Sequence, residues 1–172
     1  MTEVLIGSSP VALLVQEHRI LEQQIGELET SLEKRGLGWA MFGQATPAQL
    51  RALVIRFRDH LMAHFRHEEG GFYCRVRRAL REKGQQEGLL HEFFASEGRY
   101  DLAAHQVLTE QTAAMVSLLD EFDGGTRRRG QAQGRLFALA KQVRHVLERH
   151  AAAEEKWVFP MAEEVLRSAD AR

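Results

Sequence analysis

The chain has a single cysteine, Cys74, among 172 residues, so neither an internal disulfide nor a thiolate cage for zinc or an iron–sulfur cluster is available. A reducing setting, by default the cytoplasm, is the expectation. Prolines number only three, and 44% hydrophobic with 27% charged residues is the composition of an ordered globular chain. No run of about eighteen apolar residues and no basic-then-apolar leader occurs, so neither a membrane span nor secretion is expected. Charge of one sign is lacking too: 23 basic and 24 acidic residues leave a formal −1, with no global field to hold nucleic acid or an anionic membrane. The length suits one domain over 1–172 with its own core. What the chain does have is histidine, eight in all.

Apolar residues recur by threes and fours, and strand-type alternation is missing. The stripe Val11, Leu14, Leu21, Ile25, Leu28, Leu32, completed by His18, predicts a first helix over about 10–35, started by Ser9-Pro10 and stopped by Gly36. Thr46, Pro47 and Gln49 form a capping box for a second helix, with the seam Leu50, Val54, Phe57, Leu61, His64, Glu68. Gly70 and Gly71 weaken that helix before it carries on to about Lys83. Residues 85–98 read as a short helix or packed linker. The third helix has the seam Asp101, His105, Leu108, Thr112, Met115, Leu119, Phe122 and ends at Gly124-Gly125. The fourth has Leu136, Ala140, Val143, Leu147, His150, Glu154, Trp157, with Pro160 bending or interrupting it. The expected fold is all-α, an antiparallel up-down four-helix bundle.

An internal repeat carries the chemistry. His18-Arg-Ile-Leu-Glu-Gln-Gln matches His105-Gln-Val-Leu-Thr-Glu-Gln at an offset of 87, and His64-x-x-x-Glu68-Glu69 matches His150-x-x-x-Glu154-Glu155 at an offset of 86. The halves, about 10–83 and 97–168, are therefore read as two equivalent helical hairpins. A spacing of four stacks each histidine over its glutamate on one helix face. Closing the bundle gathers four imidazoles and two carboxylates in one low-dielectric layer, where each unpaired polar group costs about 1 to 3 kcal/mol and a carboxylate more. Two divalent or trivalent cations would meet them. Imidazole with carboxylate suits iron, and the lack of thiolate disfavours copper(I). A metal-free set of buried ion pairs is the plainer alternative.

These residues resemble the hemerythrin-like family, the HHE cation-binding domain, over about residues 10–165. The resemblance implies that His18, His64, Glu68, His105, His150 and Glu154 hold two oxo- or hydroxo-bridged irons, with zinc or another divalent metal as a substitute. It further implies binding or sensing of oxygen, nitric oxide or peroxide, or the handling of iron. Detoxification of nitric oxide or peroxide, or repair of iron centres, is the enzymatic alternative. Oxygen-carrying members have one more histidine a turn before the third-helix ligand, where this chain has Asp101. A carboxylate there favours ferric iron and disfavours reversible carriage.

Asp101 can ligate, donate or accept behind His105, or cap its helix. His60, one turn before His64, reads either as an extra ligand or supporting donor or, preferably, as a flank residue, since the other half has Val146 there. His67, His91 and His145 receive no role, and Arg127 to Arg129 read as a solvated loop. Cys74 reads as a small buried apolar residue. Glu68 and Glu154, in equivalent places, are expected each to bridge two metals and to fail alike on substitution. Trp157 opposite Gly71 is expected to close one end of the site or simply to pack there.

Overall fold

In the computed structural model, residues 9–33, 46–82, 98–123 and 126–170 are described, and among them the backbone is helical without strands. Helix α1 covers Pro10–Glu33, α2 Pro47–Arg66, α3 Tyr73–Glu82, α4 Gly98–Asp120, α5 Thr126–Ala153 and α6 Phe159–Asp170. The stretch His67–Phe72 joins α2 to α3, and Glu154–Val158 joins α5 to α6, each as a π-helical turn inside one continuous rod. Four rods result. Contacts run from α1 to α2, α2 to α4, α4 to α5 and α5 back to α1, a closed ring consistent with a helical bundle, and α3 packs on α6 beyond it.

Local sequence explains the helix starts. Thr46 accepts from the Gln49 N–H while the Gln49 side chain accepts from the Thr46 N–H at 2.7 Å, and Pro47 occupies the first helical turn, as the capping-box reading requires. Ser9 Oγ accepts from the Val11 N–H at 3.3 Å at the head of α1. The segment 85–97 and the glycine stop at 124–125 lie outside the described residues.

The two π turns change the register of both histidine-bearing rods. In each, the N–H five residues beyond the seam glutamate, Tyr73 or Phe159, donates to the carbonyl of that glutamate, Glu68 or Glu154. The wider turn moves the next buried positions to Phe72 and Tyr73 in one rod and Val158 and Phe159 in the other. Trp157, counted onto the seam at regular α spacing, is instead 56% exposed with Lys156 Nζ 4.6 Å from its ring, and Gly71 is exposed as well. The expectation that Trp157 closes the site against Gly71 is thus overturned by one extra residue in the turn. Pro160 follows such a turn and the helix continues through it to Asp170; the matching position in the first rod is Cys74, so proline is not what creates the turns. Cys74 is exposed, not buried, and its Sγ donates to the Glu69 carbonyl at 3.3 Å.

Burial falls into two apolar clusters. The larger runs through Leu21, Ile25, Leu61, Phe65, Leu108 and Leu147 and on along the bundle. The smaller contains Leu14, Phe72, Tyr73, Val158, Phe159 and Ala162. On α1, His18 lies between Leu14 of one cluster and Leu21 of the other; His64 with Glu68 and His150 with Glu154 are bracketed in the same way on their rods. The polar layer is sandwiched between two water-excluding layers.

Candidate metal centre

All six seam residues are buried: His18, Glu68, His150 and Glu154 at 0% exposure, His64 at 1% and His105 at 5%. Glu68 lies at the middle of the cluster. Its Oε1 is 2.8 Å from His64 Nε2 and 3.8 Å from His18 Nε2, and its Oε2 is 3.0 Å from His105 Nε2 and 4.0 Å from His150 Nε2. Glu154 uses one oxygen inward, Oε2, 3.0 Å from His18 Nε2 and 3.5 Å from His150 Nε2. One ligand atom each from His18, His64, Glu68, His150 and Glu154 falls within 4.8 Å of the others, a group able to hold a metal ion. His105 stands outside that tighter group and joins it through Glu68.

The approaches are close, yet the angles are not those of hydrogen bonds. Buried His18 Nε2, His64 Nε2 and both Glu68 oxygens lack an aligned partner, so their lone pairs and protons converge on shared space. Such a set is poorly satisfied by itself and fits a cation, because a cation accepts several converging lone pairs at once.

Carboxylates behind the imidazoles set their orientation, and these the sequence reading gave no role. His18 Nδ1 meets Glu155 Oε1 at 3.2 Å, and His105 Nδ1 meets Glu69 Oε1 at 2.9 Å. Each of these histidines is thus held by the glutamate following the seam glutamate of the opposite sequence half. His64 Nδ1 meets Glu17 Oε2 at 3.0 Å, and Glu17 Oε1 also meets His67 Nδ1 at 2.6 Å. The place matching Glu17, offset by 87, is Ala104, so the second half has no glutamate at that position. Tyr73 donates its hydroxyl proton to Glu154 Oε1 at 2.7 Å inside the buried layer. The signal available in the sequence is the Glu-Glu doublet in both repeats, whose second member, Glu69 or Glu155, is the one that reaches a histidine of the other half.

His60 is exposed and its Nδ1 pairs with Gln24 Nε2 at 2.6 Å, so it takes the flank position and not that of a ligand. His145 is exposed. The Asp101 side chain and His91 lie outside the described residues.

The electrostatics follow from the packing. Burial alone would lower the His18 pKa, but the Glu154 and Glu68 carboxylates outweigh it and raise it to about 10; the same contest, with Glu17 and Glu68, raises His64 to about 9. Burial would raise Glu68, and the His105, His18 and His64 imidazoles overcome it to hold the carboxyl well below its ordinary range. A cation entering the layer must displace protons from the imidazoles.

A pH dependence follows for the metal-free protein. Its two histidines have folded-state values above the ordinary 6.5, so their contribution to stability is complete below that value and lost as pH rises through about 9 to 10. The Glu68 contribution has the opposite sign, present above its ordinary 4.5 and lost only in acid. Thermal melts of metal-free protein followed by circular dichroism should show a midpoint falling between about pH 7 and pH 10. A flat midpoint over that span contradicts the charged pairing.

Residues 9–94 match the protein family described as Hemerythrin HHE cation binding domain, a stretch containing His18, His64 and Glu68 and ending before His105. No curated protein and no solved structure matches the chain. No described helix is long and apolar enough to cross a membrane.

Proposed function

Because the chain belongs to the hemerythrin HHE cation-binding domain family, we propose that it is a non-heme di-iron protein that binds or senses a small ligand, oxygen, nitric oxide or peroxide, or handles iron itself. The observation carrying this reading is the buried convergence of His18, His64, Glu68, His150 and Glu154, with His105 reaching it through Glu68. These six side chains would hold two iron ions, with zinc or another divalent metal able to substitute. Bound iron would supply a redox couple and open coordination positions for a diatomic or peroxide ligand.

The chain's own residues do the rest. Glu155, Glu17 and Glu69 accept from the Nδ1 atoms of His18, His64 and His105, which leaves each Nε2 lone pair facing inward. Glu68 offers an oxygen to each side of the cluster. Phe159 stacks on His18 with ring centroids 5.8 Å apart and Phe65 on His105 at 3.9 Å, so the rings cannot swing and bulk water is kept away.

The offsets of 87 and 86 and the exchange of glutamates between halves support an antiparallel up-down bundle with a two-fold repeat of hairpins in a single domain. Asp101 on α4, a turn before His105, supports sensing or peroxide and nitric oxide chemistry over oxygen carriage. The single cysteine suits a reducing, cytoplasmic setting.

Metal analysis with optical spectra of oxidised and reduced protein tests the reading. Iron-supplied protein should hold about two irons per chain, six protein side chains being too many for one octahedral ion that keeps a solvent position. The reduced-state spectrum should change on adding nitric oxide or oxygen. Folded protein that takes up no metal overturns the di-iron reading, and sustained turnover of nitric oxide or peroxide would place it among enzymes.

A further inference from the structure

Tyr73 and Phe159 occupy equivalent places, each five residues beyond a seam glutamate and each donating its N–H to that glutamate's carbonyl across the π turn. The difference between them is one hydroxyl group. Tyr73, 8% exposed, sends its hydroxyl to Glu154 Oε1 at 2.7 Å. Phe159 has none to send and lies instead against the His18 ring. The two carboxylates consequently face the imidazoles differently. Glu68 turns both oxygens inward, one to His64 and one to His105, whereas Glu154 turns only Oε2 inward because Oε1 is held by the phenol.

We infer that Tyr73 is a positioning residue that makes the two halves of the metal centre inequivalent by holding one oxygen of Glu154 out of the metal-binding set. The inference rests on the two-iron reading of the site. Glu68 gives a separate oxygen to each pair, Oε1 to His64 and His18 and Oε2 to His105 and His150, whereas the same inward oxygen of Glu154, Oε2, lies 3.0 Å from His18 and 3.5 Å from His150 and so sits nearer the His18 side. A hydrogen bond to a carboxylate also drains charge from it, so Glu154 is the weaker anionic donor of the pair.

Tyr73→Phe keeps the ring packed beside Phe72 and removes only the hydroxyl. Iron counting, Mössbauer spectra and visible absorption of wild-type and Tyr73→Phe protein test the inference together. Expected are two irons per chain in both proteins, two distinct iron signals in wild type, and movement of those signals toward one another in the variant, with no tyrosinate-to-iron absorption band in either. One iron signal in iron-replete wild type overturns the inference while leaving the two-iron reading intact, and this measurement stands even if the variant fails to fold. Two signals unchanged in Tyr73→Phe also overturn it. A visible band present in wild type and lost in the variant overturns it in favour of Tyr73 as a direct ligand. Folded wild type without iron defeats the two-iron reading itself, and the role of Tyr73 with it.

Discussion

With two ions bound as proposed, Glu68→Ala is expected to abolish retention of both, while Glu154→Ala should leave about one per chain. The difference follows from what each carboxylate touches. Glu68 lies within 4.0 Å of all four imidazole Nε2 atoms through its two oxygens, so no part of the site is independent of it. Glu154 turns one oxygen, Oε2, to His18 and His150, while its Oε1 accepts from Tyr73. The repeat alone, which puts the two in equivalent places, leads to the expectation that they fail alike; Tyr73 is why they should not. Metal content after desalting decides between the two, with circular dichroism to establish that the helices persist. Glu68→Ala also leaves the imidazolium groups of His18 and His64 without their central counter-charge, a change that costs about 3 to 5 kcal/mol for buried pairs, so Glu68→Gln should accompany it. Two tightly held ions in either Glu68 variant would remove it from the ligand set.

Removing the metal from wild-type protein should lower its melting temperature by about 10 °C. An ion present at about a thousand times its dissociation constant stabilises the folded state by about 4 kcal/mol, and for a chain of this size each kcal/mol moves the midpoint by about 2 to 4 °C. The layer gives reason to expect no less. Without a cation, His18 and His64 are charged and crowded, with their Nε2 atoms lacking aligned hydrogen bonds and their ring centroids 4.7 Å apart. Differential scanning calorimetry of chelator-treated and iron-restored protein measures the effect. Equal midpoints, with iron counted as bound in one sample and removed from the other, would mean that the metal-free layer is already well satisfied.

Periodicity was sufficient wherever the helices are regular. The seam of α1, from Leu14 through His18 to Leu32, is buried at the positions its spacing predicts, and so are Leu50, Val54, Phe57, Leu61, His64 and Glu68. Periodicity misleads one turn later in both histidine-bearing rods, because spacing by threes and fours assumes a hydrogen bond to the fourth residue back. The π turns replace it with one to the fifth, and a single added residue carries Trp157 out to solvent and brings Phe159 in. Glu69 and Glu155 are not legible as supports for a related reason: each stands one residue off the seam, a place that helix periodicity does not turn inward. Only assembled helices show that each reaches a histidine of the opposite half.

The sequence by itself determined the all-helical class, the helix start at Thr46-Pro47, and the six chemically distinctive seam residues. Those depend on local hydrogen bonding, on a three-to-four spacing, and on a repeat visible as two matching strings. Tertiary structure alone decided which oxygen of each glutamate faces inward, which carboxylates hold the imidazoles from behind, and that Tyr73 reaches Glu154 across 81 residues of chain. The physical reason is range. Helix formation and facing are settled by residues within one turn, whereas orienting a buried carboxylate depends on a donor from another helix, and nothing in either segment records where the other will lie.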